Sequence, residues 1–102
     1  MFMLNPAHPG ELIRETIEGL REETGQKYTI EEVADALDTT RKTLSAIINK
    51  HQSVTPEMAL KLSAAFRNTT ADFWLVVQDR YDLAQARLKY STDKVRVMWE
   101  HA

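Results

Sequence analysis

Apolar residues recur every three or four positions along most of the chain, and this spacing predicts amphipathic helices joined by short polar segments. The first predicted helix begins near His8, because Pro9 suits the first helical position, and it stops near Gly25. Each later helix follows a threonine whose hydroxyl can accept a hydrogen bond from a free backbone amide: Thr29, Thr40, Thr55 and Thr70. The pattern therefore predicts an all-α fold of five helices with a long C-terminal helix.

The segment after the fifth predicted helix has a different pattern. Val95, Val97 and Trp99 alternate with Lys94 and Arg96, which is typical of a short half-buried strand, and a frayed helix is the alternative. The chain accordingly divides into a flexible N-terminal segment (1–7), a helical domain (8–89) and a C-terminal tail (90–102).

The composition fits one small domain in a reducing compartment. The chain has 102 residues, of which 43% are hydrophobic, enough for a single core. It has no cysteine, which excludes disulfides and thiolate metal sites. The first residues do not resemble a signal peptide, and no apolar stretch approaches membrane-spanning length, so we expect a soluble, cytoplasmic protein with no membrane partner.

The distribution of charge is more informative than the net charge of −2, which by itself argues against a nucleic-acid partner. Residues 8–38 contain nine acidic and three basic residues, whereas residues 39–54 contain three basic residues and no acidic one. A locally cationic segment of this kind suits contact with a phosphate backbone, and a solvated helix end is the alternative interpretation.

The second and third predicted helices form a helix-turn-helix. The connection at residues 38–39 is so short that the two helices must cross steeply, and the small side chain of Ala34 allows their backbones to approach. Leu37, Leu44 and Ile47 are placed to hold the crossing angle from inside. The third helix is then the one expected to enter the major groove of DNA.

The outward residues of the third predicted helix have side chains that suit base recognition. Arginine and lysine read guanine, asparagine reads adenine, hydroxyls bond to several bases, and alanine leaves room for a thymine methyl group. Tight helix pairs also occur in bundles that bind no DNA, which is the alternative. The candidate base-reading residues are Thr40, Arg41, Lys42, Ser45, Ala46 and Asn49, and the candidate phosphate contacts are Thr29, Thr43 and Lys50.

The fifth predicted helix has apolar residues on more sides than a monomer of five helices can cover. Phe73 and Trp74 are most simply core residues, yet the excess predicts a two-fold dimer and hence a palindromic operator with half-sites one DNA turn apart. The candidate dimer residues are Phe73, Trp74, Val77, Tyr81 and Leu83.

Enzymatic chemistry has little support in the sequence. The three histidines are far apart and form no metal-ligand spacing, so we expect neither metal nor cofactor. The glutamates of the first helix follow helical spacing, as a solvated face would, and no nucleophile accompanies them.

Several short motifs occur in order along the chain: His8-Pro9-Gly10-Glu11, Ala34 with Leu37, Thr55-Pro56-Glu57-Met58-Ala59-Leu60-Lys61-Leu62, and Asp72-Phe73-Trp74-Leu75-Val76-Val77-Gln78 continuing through Tyr81-Asp82-Leu83. In this order they resemble the HigA family of antitoxins within the wider Xre/Cro-like regulators. The resemblance extends over about residues 8–87, and the run near the C-terminal helix is its most specific part.

The resemblance implies a five-helix Cro/repressor-like domain that works as a homodimer, represses its own operon and neutralises a HigB-type toxin, a RelE-like ribonuclease that cleaves messenger RNA. It implies no enzymatic activity in this chain. A stand-alone Xre-type repressor without a toxin, and an interaction module that has lost DNA binding, are the alternatives.

Two features depart from the family pattern. Asp38 occupies a turn position that usually holds glycine, although aspartate tolerates left-handed geometry. Glu31 and Glu32 stand where the second helix usually contacts phosphate, so the Thr29 hydroxyl and nearby amides are left for that contact.

Two surfaces are alternative docking sites for a basic toxin. One is the acidic face that includes Glu15, Glu18 and Glu22, which would attract a cationic ribonuclease. The other is the segment from Val95 to Trp99, which would bind by strand addition.

Overall fold

A computed structural model describes residues 6–100, and it contains five helices and no strand within that range. The all-α prediction is confirmed, with the last helix the longest. The helices are α1 (Pro9–Thr24), α2 (Ile30–Ala36), α3 (Arg41–Ile48), α4 (Pro56–Ala65) and α5 (Ala71–Lys89). Most of the predicted flexible segment 1–7 lies outside the described residues.

The predicted helix starts are confirmed by their capping hydrogen bonds. At α2, the hydroxyl of Thr29 accepts from the Glu32 amide at 3.1 Å, and the Glu32 carboxylate accepts from the Thr29 amide at 2.9 Å. Such a reciprocal capping box satisfies two amides that the helix itself leaves free. Thr40, Thr55 and Thr70 cap their helices through the same hydroxyl-to-amide bond.

α1 begins with a cap that the sequence pattern did not suggest. Nδ1 of His8 accepts a hydrogen bond from the Gly10 amide at 2.9 Å, and Pro9 occupies the first helical turn. The helix ends at Gly25, whose φ of 74° is left-handed, and the Gly25 amide donates to the Arg21 carbonyl.

One core joins all five helices. α4 packs mainly on α5, and α3 packs on both α1 and α2. The largest fully buried side chains include Ile13 of α1, Leu44 and Ile47 of α3, Leu62 of α4 and Trp74 of α5. Of the residues described, no helix has the length and apolar character that crossing a membrane requires.

Trp74 corrects part of the predicted dimer surface. Its side chain is 1% exposed, and its indole Nε1 donates to the Thr69 hydroxyl at 2.9 Å. A side chain that is buried and hydrogen-bonded within the monomer is not available to contact a second copy, so Trp74 belongs to the core.

The tail adopts neither of the structures predicted for it. Residues 91–100 form no strand and no helix, and their apolar side chains are exposed. A strand needs a neighbouring edge, and no described strand exists to supply one.

Candidate nucleic-acid interface

The turn between α2 and α3 holds the two helices of the helix-turn-helix in place. Asp38 has a φ of 54°, so the aspartate at the usual glycine position does adopt left-handed geometry. The Thr39 amide donates to the Ala34 carbonyl at 3.0 Å, and the Lys61 ammonium donates to the Asp38 carbonyl at 2.7 Å. A cation from α4 thus stabilises the carbonyl end of α2.

The side chains predicted to set the crossing of α2 and α3 are all buried. Ala34 is 1% exposed and Leu37 is 2% exposed, and both side chains belong to the same core cluster as Leu44 and Ile47. Their burial fixes which face of α3 is turned towards solvent.

The outward face of α3 is less uniform than the sequence suggested. Arg41, Lys42 and Asn49 are exposed, whereas Ser45 and Ala46 are half-buried. The exposed cations lie at the N-terminal end of α3, the end that meets base edges in helix-turn-helix proteins.

Two threonines at the start of α3 are engaged with each other. The Thr40 hydroxyl accepts from the Thr43 amide at 3.1 Å and donates to the Thr43 hydroxyl at 3.0 Å. Either hydroxyl would have to rearrange to bond a base or a phosphate, so Arg41 and Lys42 are the freer donors.

α1 adds a cation that sequence reasoning missed. The Arg14 guanidinium donates to the Asn49 side-chain oxygen at 3.4 Å, and both residues line a cavity of about 270 Å³ between α1 and α3. The two residues are 35 positions apart, so no local pattern links them. The only sign of Arg14 in the sequence is that it is one of few bases in an acidic segment.

Lys50 is ion-paired rather than free. Its ammonium contacts the Glu11 carboxylate in the first turn of α1, and its own φ is 66°. The hydrogen bond and the charge of Glu11 raise the pKa of Lys50. A phosphate would therefore compete with Glu11 for this lysine.

Thr29 is likewise occupied. Its hydroxyl and its amide both belong to the capping box with Glu32, so a phosphate there would have to displace that carboxylate. The N-terminus of α2 is thus a weaker anion site than the N-terminus of α3, which has no acidic residue in its first turn.

Three side chains of the family-like run on α5 have structural roles. Gln78 is buried, and its side-chain oxygen accepts from the Val54 amide at 2.8 Å while its nitrogen donates to Asp82 at 2.9 Å. Tyr81 packs edge-on against His8, with ring centroids 4.8 Å apart. α5 therefore anchors both the loop after α3 and the cap of α1.

The surroundings of His8 favour its neutral form. Enclosure by the protein lowers the pKa of His8, and this effect exceeds the opposing charge of Asp82. The neutral imidazole is also the form that the cap requires, because Nδ1 must accept from Gly10.

The remaining predicted dimer residues differ in exposure. Phe73 and Leu83 are exposed, while Val77 and Tyr81 are half-buried. Val76 is also exposed, and its spacing from Phe73 and Leu83 places all three on one stripe of α5.

Comparison with known proteins places the chain among helix-turn-helix proteins. The helix-turn-helix family model HTH_3 matches residues 17–74, which include both α2 and α3. Virulence-associated protein A' of Dichelobacter nodosus is 46% identical over 98 residues, covering 96% of this chain and 79% of that protein.

Two solved structures are similar over most of the chain. An addiction module antidote protein of the HigA family from Coxiella burnetii is 32% identical, with a TM-score of 0.76 over 93% of this chain and 99% of that one. The antitoxin HigA of Pseudomonas aeruginosa, solved with the higBA promoter, is 31% identical, with a TM-score of 0.68 over 82% of this chain and 85% of that one. The chain belongs to the HTH_3 helix-turn-helix family, and its structural relatives include HigA antitoxins, as its motifs predicted.

Proposed function

We propose that this protein is the antitoxin of a type II toxin–antitoxin system, which binds operator DNA as a homodimer and represses its own operon. One observation carries the DNA-binding part: α3 presents Arg41 and Lys42 at its N-terminal end, with no acidic residue in its first turn, within a helix-turn-helix whose crossing is fixed by buried residues. The similarity to an antitoxin solved with promoter DNA supports the same assignment.

The site residues divide into two groups in this proposal. Arg41, Lys42 and Asn49 read base edges, with Ser45 and Ala46 lining the half-buried side of the same face. Arg14 and Lys50 are the flanking cations, which contact phosphate once Lys50 exchanges Glu11 for the DNA backbone.

Dimerisation uses the exposed stripe of Phe73, Val76 and Leu83 on α5. A two-fold dimer presents two α3 helices, so each half-site is read by one of them and the operator is palindromic. The two exposed cations of each α3 are few for a DNA-binding protein, and pairing two copies doubles them.

The second activity is neutralisation of a HigB-like, RelE-like ribonuclease. An RNA-cleaving enzyme carries a cationic surface, and the exposed carboxylates of α1, among them Glu15, Glu18 and Glu22, are complementary to it. The antidote and antitoxin structures similar to this chain support a toxin partner.

The test measures DNA binding and toxin binding in one titration and toxin neutralisation in a growth assay. The purified chain is bound to fluorescent DNA from the promoter of its own operon, and the product of the adjacent gene is then added. We expect specific binding, a stable complex with the gene product, and rescue of growth when both genes are expressed.

The outcomes separate the alternatives. Promoter binding without any complex with the gene product indicates a stand-alone repressor. A complex with the gene product without promoter binding indicates an interaction module that does not bind DNA. Charge reversal at Glu15, Glu18 and Glu22 weakens the complex if the acidic face docks the toxin, and unchanged affinity excludes that face.

A further inference from the structure

The C-terminal tail carries an apolar surface that no part of residues 6–100 covers. Val95, Val97, Met98 and Trp99 are between 68% and 91% exposed. Four consecutive or alternating apolar side chains in so short a segment favour binding to another surface. The radius of gyration of 16.8 Å, against about 13 Å for a compact chain of this size, and the longest dimension of 56 Å show that the chain is elongated, and every residue from 87 to 100 is exposed.

A complementary groove lies between the C-terminal ends of α1 and α4 and the length of α2. It encloses about 510 Å³ and has an apolar floor that includes Leu20, Val33 and Phe66. Two carboxylates, Glu32 and Asp35, also line it, and both are exposed. The groove therefore combines an apolar floor with negative charge.

The tail has the matching chemistry. Lys94 and Arg96 alternate with Val95 and Val97, so one segment supplies both apolar side chains and two cations. Cations of this segment would meet the carboxylates of the groove while its apolar side chains cover the floor.

The topology favours the groove of a second copy over that of the same chain. α5 has 19 residues and is about 28 Å long, and along the chain it separates the end of α4, where Ala65 and Phe66 line the groove, from the tail. A ten-residue tail reaches about 33 Å when fully extended. The tail could therefore reach the groove of its own chain only near full extension, and only if it folded straight back along α5.

A dimer that uses the stripe of Phe73, Val76 and Leu83 removes this difficulty. When two α5 helices pack antiparallel about a two-fold axis, the C-terminus of one lies beside the N-terminus of the other. Five residues separate the end of α4, whose Ala65 lines the groove, from the N-terminus of α5. The tail of one copy then begins close to the groove of its partner.

We infer that the segment from Val95 to Trp99 of one copy occupies the groove between α1, α2 and α4 of its partner, with Lys94 and Arg96 facing Glu32 and Asp35. This inference rests on the dimer of the proposed function and adds a second contact to it. The exchange of tails covers the exposed apolar side chains and attaches each tail to the helix-turn-helix of the other copy.

The absence of cysteine allows a direct test by disulfide trapping. Full-length Met98→Cys and full-length Ala65→Cys are mixed, equilibrated and mildly oxidised, so that a mixed disulfide can form only between copies. We expect efficient crosslinking, because a disulfide requires the two Cα atoms to approach within about 7 Å. Glu57→Cys, exposed at the far end of α4, is the matched control and is expected to crosslink far less.

Charge variants of the same pair test the polar part of the contact. Reversing both tail cations (Lys94→Glu with Arg96→Glu) is expected to slow crosslinking several-fold, and Asp35→Lys in the groove partner is expected to restore it. Unchanged rates in the reversed variant would exclude the pairing of charges described above.

Light scattering and operator binding on the same samples separate the two proposals. A dimer that binds operator but gives no more Met98–Ala65 crosslink than the Glu57 control overturns the tail exchange alone. Preferential crosslinking of Met98→Cys with itself also overturns it, because the tails would then pair with each other. A monomer overturns both the dimer and the exchange of tails.

Discussion

Gly10 shows how a single residue determines the packing of α1 on α3. A Cβ atom built at this position would lie 2.1 Å from the Ile47 carbonyl oxygen and 2.8 Å from the Ile48 Cα atom. Neither backbone atom can move without shifting α3, so the glycine of the His-Pro-Gly-Glu motif is required by the close approach of two helices rather than by its own dihedral angles.

We therefore expect Gly10→Ala to lower the free energy of unfolding by ~3 kcal/mol, as overpacking does. Gly19→Ala in the same helix is the matched control, since a Cβ there meets no atom within 4 Å. The control should raise stability by about 0.5–1 kcal/mol, because alanine is the better helix former. Urea denaturation of both variants checks this, and equal effects would contradict the close packing.

His8 gives the fold a dependence on pH. Burial lowers the pKa of His8 in the folded chain, so the unfolded chain binds a proton more readily. The stabilisation of the fold by neutral His8 is fully present above about pH 6.5, the ordinary pKa of histidine, and it decreases as the pH falls below that value. Protonation also ends the cap, because Nδ1 can no longer accept from the Gly10 amide.

Thermal unfolding of the chain and of His8→Ser between pH 5 and 8 measures this effect. Serine also caps helices but does not titrate in this range, so the difference in stability between the two proteins should shrink as the pH falls. A difference that stays constant would show that His8 contributes no pH dependence. Both proteins keep the other two histidines, so the comparison isolates the contribution of His8.

At the scale of elements, the positions of the helices were predictable from the sequence, but the side-chain contacts between helices were not. Threonine caps, Pro9, Pro56 and Gly25 act within a few residues of themselves, so local sequence places the start of each helix and the end of α1. The pairs Arg14–Asn49 and Lys50–Glu11 join residues 35 and 39 positions apart, and spacing cannot predict them.

The errors have related physical causes. Trp74 and Phe73 are adjacent and apolar, and only packing distinguishes the buried one from the exposed one. Alternation of Val95, Val97 and Trp99 predicts a strand only if an edge is available for pairing, and the described chain has none. Pattern thus gives amphipathic faces, whereas tertiary packing decides which surface each face covers.

Gln78 of α5 holds the loop after α3 in place through its hydrogen bond with the Val54 amide. Replacing it with alanine leaves the Val54 amide without its acceptor in a buried position, which costs about 1–3 kcal/mol. Gln85→Ala, a half-buried neighbour on the same helix, should change the unfolding free energy by under ~0.5 kcal/mol. Hydrogen exchange at the Val54 amide gives a local measurement, and unchanged protection in Gln78→Ala would contradict the anchoring role.

At the scale of the whole molecule, the exposed stripe on α5 predicts the oligomeric state. Leu83→Glu introduces a charge on the stripe and should raise the dimer dissociation constant by about 30-fold or more, which corresponds to ~2 kcal/mol. Leu88→Glu is the matched control, because Leu88 is exposed but lies about 100° around the helix from the stripe. Sedimentation equilibrium distinguishes them, and equal effects would place the interface elsewhere.

The charge of the whole molecule makes DNA binding depend on few residues. The chain has a net charge of −2. Glu11 already forms an ion pair with Lys50, and the Glu32 carboxylate already accepts a hydrogen bond at the N-terminus of α2. The contribution of Arg41 and Lys42 to affinity should consequently be large, and disruption of the dimer through α5 should weaken binding further because each copy brings only one α3.

The most direct test of DNA reading by α3 is the affinity for promoter DNA of the operon as a function of salt, for the chain and for Arg41→Ala with Lys42→Ala. The double variant should bind more weakly by about 1–3 kcal/mol for each base that it no longer reads, and its salt dependence should fall by about one unit for each phosphate that it no longer neutralises. Arg67→Ala is the control, because Arg67 is an exposed basic residue after α4, and it should change neither the affinity nor its salt dependence. If the double variant binds operator with the affinity and salt dependence of the unchanged chain, α3 is not the helix that reads DNA.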